Sequence, residues 1–412
     1  MQFGDRPHPQ PGAEFDTYAT HLADIAREVT DESEGAFTIG IFGSWGSGKT
    51  TLMRLIEKKF KELNDPQYKY IWFNAWKYDG KEAIWNALIQ TILLEMKEDE
   101  KNVADIDTWR QTYDMVESNM NLYVHYLATQ LPGSLAKKYL GVELSPDKLK
   151  ELNNLYTVDR KHYKIVNRFE DDFKQLVKNY VTEAGKLIVF IDDLDRCLPE
   201  NAITVLEAIK LYLDNANCVF FIGVDKTIIE QGVRKRYLAS LKITGKDYIE
   251  KMIQLDFYVP DKPEAELRKL LRGRIARQWV NDDEMWKMIV QGSNYNIRKA
   301  KRFLHSFNLI DRIADNLGIE KIIYPKLSRI LLIQMNFPDF FAELVRKYKL
   351  ILEKKSIDML TTFLGDFPEN TKFRDNVELS EFINCSSHYG MIDNCQDLEV
   401  ILQLLRTNAQ TS

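Results

Sequence analysis

Residues 39–52 read IGIFGSWGSGKTTL, an apolar run that stops at Gly43, opens into a glycine-rich loop and continues with helical spacing. The loop fills the pattern G-x-x-x-x-G-K-[ST] with Gly43, Ser44, Trp45, Gly46, Ser47, Gly48, Lys49 and Thr50. Glycines at these places let the backbone turn tightly and bring its N–H groups against an anion with no side chain in the way. Those amides add to the positive end of the helix that follows, Lys49 is placed to reach β- and γ-phosphates, and the Thr50 hydroxyl to ligate Mg2+. With Thr51, the loop makes a nucleotide-binding segment. Its flanks suit it, β-like over Ala36–Phe42 and helical over Thr50–Leu63.

A phosphate loop alone fits a kinase, a GTPase, a motor or a switch, so the next strand ending in acid decides more. It lies in KLIVFIDDLDRCLPE, residues 186–200. Asp192, Asp193 and Asp195 fall at the carboxyl end of a buried strand, where an open parallel sheet places its ligands. Asp192 is the expected Mg2+-side carboxylate; Asp193 and Asp195 are both candidates to orient the attacking water. A solvated acidic turn capping the helix near Pro199 is the plainer alternative. Asp225 ends the strand CVFFIGVD and suits either a γ-phosphate sensor or the N-cap of the next helix.

At 412 residues the chain has room for about two or three packed units, and 45% hydrophobic with 11% aromatic residues is ample for their cores. A net charge of −5 argues against a general polyanion binder. Cys197, Cys218, Cys385 and Cys395 follow no metal-ligand spacing, which suits a reducing cytoplasm. The start, MQFGDRPHPQPG, lacks signal-peptide character, and no apolar run approaches the roughly 18 residues of a membrane span. A soluble chain is expected.

Short β-rich runs alternating with longer helical ones predict an α/β fold, a mainly parallel sheet sandwiched by helices. Strands are predicted at Phe37–Phe42, Tyr68–Asn74, Leu187–Ile191, Cys218–Val224 and Gln254–Tyr258. The long interval between the second and third exceeds any crossover helix and reads as a helical insertion at about 98–180. The predicted organisation is an N-terminal arm and helix over 1–35, a core over 36–260, a helical lid over 261–317, and a C-terminal helical region and tail over 318–412.

Taken together, IFGSWGSGKTTLM, IWFNAWKYDGKEAIWNALI, LIVFIDDLDRCLPENAITVLEAIKLYL, FFIGVD, YIEKMIQLDFYVP, NYNIRKAKRFLHSF and SRILLIQMNFPDFFAELV resemble the KAP family of P-loop NTPases. That family stands in the additional-strand division that also holds AAA+ and STAND proteins. The resemblance spans roughly residues 36–345. It implies ATP with Mg2+, a nucleotide-gated change of conformation or assembly, and often bacterial defence against phage or plasmids. It also matches Arg298 to a lid arginine facing the nucleotide, whereas spacing alone favours a solvated basic face with Lys299, Lys301 and Arg302. Many members carry membrane helices in the insertion; the polar text here does not.

An arginine finger from a neighbouring subunit would complete such a site, with Arg196, Arg234 and Arg236 as candidates. Trp72, Phe73 and Trp76 of the segment around FNAW read as packing residues, and Asn74 as the polar group facing the site. The leading reading is an ATP hydrolase controlling self-assembly or partner binding, as a homo-oligomer, with a separately encoded effector or sensor as a possible partner. Alternatives are a nucleic-acid-stimulated motor using the basic stretches Arg268–Arg277 and Arg298–Arg302, or an ATP-binding module with little turnover.

Overall fold

The computed structural model describes residues 13–29, 35–80, 84–103, 105–117, 160–181, 185–214, 217–237, 244–271, 282–318, 324–352, 357–368 and 371–409. The arm at 1–12, residues 118–159 of the expected insertion, and 272–281 of the first basic stretch lie outside them. The described chain falls into two compact units, one ending at Val259 and one beginning at Pro260.

In the first unit, α1 (Ala13–Glu28), β1 (Phe37–Phe42), α2 (Lys49–Leu63), β2 (Tyr68–Asn74) and α3 (Ile84–Glu98) follow one another. A helix over 106–117, α4, and α5 (Arg160–Val181) come next. Then come β3 (Lys186–Asp192), α6 (Pro199–Tyr212), β4 (Cys218–Val224), α7 (Lys226–Arg236), α8 (Gly245–Met252) and β5 (Leu255–Tyr258). Each predicted strand is found within one residue at either end. The strands form one sheet in the order β2-β3-β4-β1-β5, all pairs parallel. Every residue of β3 and β4 is buried, which is why their sequences are continuous apolar runs rather than alternating ones.

Register places aromatic rings side by side across three strands. Trp72 pairs with Phe190 and Phe190 with Phe221, with ring centroids 5.0 and 5.2 Å apart. This face packs with Leu52, Met53, Ile56 and Phe60 of α2 and with Phe15, Leu22 and Ala26 of α1. The opposite face packs with α3, α5 and α6 through Leu88, Ile92, Phe173, Leu176, Ile203 and Leu206. Because Asn74 pairs with Asp192 and Phe42 with Val224, the carboxyl ends of β1 to β4 finish at one edge of the sheet.

The second unit is helical: α9 (Glu264–Leu271), α10 (Asp283–Gly292), α11 (Ile297–Asn316), α12 (Tyr324–Asn336), α13 (Pro338–Leu352), α14 (Met359–Gly365), α15 (Val377–Gly390) and α16 (Cys395–Ala409). Its core is built on Trp286, Phe303, Phe307, Leu331, Phe340 and Leu405. Among the described residues, no helix in either unit is long and apolar enough to cross a membrane.

Candidate nucleotide site

The phosphate loop leaves β1 at Phe42 and enters α2 at Lys49. Gly48 caps that helix at φ 113°, a conformation that disfavours side chains, and a Cβ there would stand 3.1 Å from the Phe15 ring of α1. At Gly43 a Cβ would meet Ser47 Oγ at 2.5 Å, so the loop closes this tightly only because residue 43 has none. Ser47 Oγ is buried and has no hydrogen-bond partner among the described residues. Ser44 and Trp45 are exposed at the outside of the loop, and Thr51 is half-buried in the first turn of α2.

Lys49 Nζ donates to Gly43 O at 2.9 Å and Ser44 O at 3.2 Å, and lies 2.7 Å from Asp195 Oδ2. Thr50 Oγ1 donates to Asp192 Oδ1 at 3.0 Å. Asn74 Nδ2 donates to Asp193 Oδ2 at 2.8 Å, while Arg196 Nε sits 2.8 Å from Asp193 Oδ1. The residues predicted from two distant motifs therefore meet at one sheet edge. Asp193 has φ 56°, a left-handed conformation that costs a non-glycine residue about 1 kcal/mol or more.

Three carboxylates here face two cations, Lys49 and Arg196, and Asp192 is the one with neither beside it. Burial, and then the charge of Asp193, push Asp192 up to about 6. A buried carboxylate with a hydroxyl at 3.0 Å and an excess of negative charge around it suits a hard divalent cation held by oxygen ligands. The glycine-lined loop, its unpartnered Ser47 hydroxyl and the buried Lys49 ammonium suit an anion beside it. The donor set fits a Mg2+ nucleotide.

Other predicted positions resolve differently. Asp225 is the N-cap of α7, accepting from Thr227 N at 3.0 Å and Thr227 Oγ1 at 2.8 Å. Arg298 is half-buried in the first turn of α11 in the second unit; Asn296 caps that helix by accepting from Arg298 N and Lys299 N. Lys299 and Arg302 are exposed, as the solvated-face reading expects. Among the finger candidates, Arg196 turns inward onto Asp193, Arg236 is engaged by Glu207 and Thr204, and Arg234 stands 78% exposed. All four cysteines are free thiols, with Cys197 and Cys218 buried.

Trp76 is not the packing residue its segment suggested. It is 53% exposed, with the Arg196 guanidinium 5.0 Å from its ring centroid and 5.6 Å from that of Trp45. Phe73 is fully buried and Trp72 lies under Arg54, so these two do pack. Asp79 also escaped sequence reading; it accepts from Leu198 N and Asn201 Nδ2 and ties the turn after β2 to the start of α6. A single aspartate before a glycine gives no signal for such a role.

The profile of the KAP family P-loop domain matches residues 15–314. The phage T7 exclusion protein of Escherichia coli is 27% identical over 264 residues, which cover 61% of this chain and 34% of that protein. The chain thus spans about a third of that relative's length. An uncharacterized protein of Methanocaldococcus jannaschii is 24% identical over 174 residues, covering 37% of this chain and 87% of its own. Among solved structures, the Aeropyrum pernix ORC2 protein in ADPNP-ADP complexes is similar at 14% identity and TM-score 0.38, covering 98% of this chain and 97% of its own. Drosophila ORC bound to DNA is similar at 12% identity and TM-score 0.40, covering 99% and 82%.

Proposed function

The chain belongs to the KAP family of P-loop NTPases, and on that premise we propose that it is a Mg2+-dependent ATPase whose nucleotide state controls self-assembly or partner binding in bacterial defence. The observation that carries the hydrolytic part is the gathering, where the phosphate loop meets the end of β3, of Lys49 against Asp195, Thr50 against Asp192, and Asp193 against Asn74. The defence role is supported by the matching segment of the phage T7 exclusion protein.

Lys49 binds the β/γ-phosphates, exchanging its contacts with Gly43 O and Ser44 O for phosphate oxygens while it stays paired with Asp195. Loop amides from Gly43 to Thr51 orient the phosphate chain. Thr50 and Asp192 would hold Mg2+, which when bound would neutralise charge on the phosphates. Asp193 positions the attacking water, because Asp195 is committed to Lys49 while Asp193 is held at the sheet edge by Asn74 and Arg196. Arg234, the exposed candidate, serves a neighbouring copy as finger, and Arg298 acts as the lid arginine, the role its match with the family assigns it.

The test is turnover of purified protein with ATP and Mg2+, alongside its molar mass with and without them. Turnover with an ATP-dependent rise in mass is expected, and Arg298→Ala should weaken both while Lys299→Ala leaves both near wild type. No turnover together with stoichiometric ATP retention would sink the hydrolase, and turnover that requires added DNA would replace the switch with a motor.

A further inference from the structure

We propose that Trp45 and Trp76 are positioning residues whose rings clamp the Arg196 guanidinium and thereby fix Asp193, a role that stands on the hydrolytic reading above. The three residues come from three segments. Trp45 belongs to the phosphate loop, Trp76 to the turn Ala75–Tyr78 that follows β2, and Arg196 to the turn Leu194–Arg196 that follows β3. Packing does not account for the two indoles, since they are 61% and 53% exposed at the edge of a sheet whose other large rings are covered. What they share is Arg196, at 5.6 and 5.0 Å from their centroids.

Arginine suits that place better than lysine. Its guanidinium is planar and weakly hydrated, so it lies against aromatic faces while its N–H edge still reaches a carboxylate. The guanidinium meets Asp193 as an ion pair, with Nε 2.8 Å from Oδ1. The other oxygen, Oδ2, accepts from Asn74, two residues before Trp76. The end of β2 therefore holds Asp193 twice, directly through Asn74 and through Trp76 by way of Arg196. Asp193 sits in a left-handed conformation that its surroundings must over-determine, and a two-handed grip does so. Trp45 adds a link to the loop, so rearrangement of the loop around phosphate is felt at Arg196. The separated motifs SWGSG, FNAW and DDLDR are thereby one device.

The experiment is a double-mutant cycle on the full chain, using Trp76→Leu, Trp76→Phe, Asp193→Asn and the Trp76→Leu/Asp193→Asn pair. Three quantities are read: kcat at saturating ATP and Mg2+, affinity for a fluorescent non-hydrolysable ATP analogue, and the melting temperature. Trp76→Leu should lower kcat about tenfold with analogue affinity within about twofold of wild type, whereas Trp76→Phe, which keeps a π face, should stay within about threefold. In the Asp193→Asn background, Trp76→Leu should change the residual rate less than about twofold, since the group it positions has gone. Arg196→Lys keeps the charge without the planar face and should reproduce the tenfold loss should Trp76→Leu not fold. Equal losses in both backgrounds, affinity falling in step with kcat, or wild-type turnover by Trp76→Leu would each overturn the clamp while leaving the hydrolase intact. Absence of turnover in the wild type would instead remove the hydrolase, and the clamp with it.

Discussion

Two buried clusters of charge occupy the two units and are built on opposite plans. In the second unit Arg329 is fully buried and all five of its N–H groups are used: on Asp358 twice, at 2.7 and 2.8 Å, on Ser386 Oγ, and on the carbonyls of Gly390 and Ile383. Asp358 is matched in turn by the amides of Thr361 and Ile392 and the Thr361 hydroxyl. Burial pushes this carboxyl up, but Arg329, Thr361 and Ile392 outweigh it and hold it below its ordinary value. At the phosphate loop, burial wins and Asp192 rises to about 6, because the nearest charges are carboxylates. A satisfied network locks α12, α14 and α15 together; one with excess negative charge is a site for something that brings positive charge.

The sharpest way to break this contrast is Asp358→Ala, which leaves a buried guanidinium without its counter-charge and should destabilise the second unit by about 3–5 kcal/mol. Denaturant unfolding checks it, and a loss below about 1 kcal/mol would make the network ornamental. The same pair fixes a pH sign. A depressed carboxylate contributes stability above its unfolded pKa of about 3.9 and loses it as pH falls toward the folded value, so acid should open this unit.

Next in size is Lys49→Ala, which removes the one ammonium aimed at the phosphates in a cradle of neutral amides. ATP affinity should fall about a hundredfold, or about 2.7 kcal/mol. Equilibrium binding reads it directly, and an unchanged Kd would mean that the loop binds by its amides alone.

The smallest effect has the opposite sign to the first. Asp192→Asn removes an ionised group that the nucleotide-free fold disfavours, so the nucleotide-free chain should gain about 2 kcal/mol at pH 7 while losing Mg2+-dependent turnover. For a carboxylate raised to about 6, folded stability falls as pH rises from about 4 to 6 and is flat above. The advantage of the variant should therefore shrink below pH 6 and vanish below about 4. Calorimetric melts at pH 7 and pH 4 compare the two, and a variant less stable than wild type at pH 7 would show that Asp192 is structurally supported after all.

Much of this was legible because the signals are local. Strand ends were readable to a residue because β3 and β4, buried on both faces, must be unbroken apolar runs bounded by polar residues. The phosphate loop was readable because its glycines answer backbone requirements that no other residue meets. Asp225 was open between two uses because an aspartate after a strand and before a helix serves either, and its bonds to Thr227 show the cap. Arg329 gave no signal at all, since its partners lie 29 to 61 positions away along helices of ordinary composition.

The sequence by itself determined the parallel sheet, the phosphate cradle and the identity of the acidic strand, because each follows from periodicity or from a short run with one physical solution. Only the tertiary structure decided which carboxylate faces which cation. Asp193 and Asp195 are two residues apart and chemically identical, and their different partners arise because register aligns Asn74 with Asp192 while the turn at Asp193 sends its side chain to Asn74 and Arg196. The same turn carries Asp195 to Lys49 and sets Arg196 beneath two exposed tryptophans. Charge pairing depends on distances of a few ångströms between segments far apart in the chain, and such distances exist only once the sheet has formed.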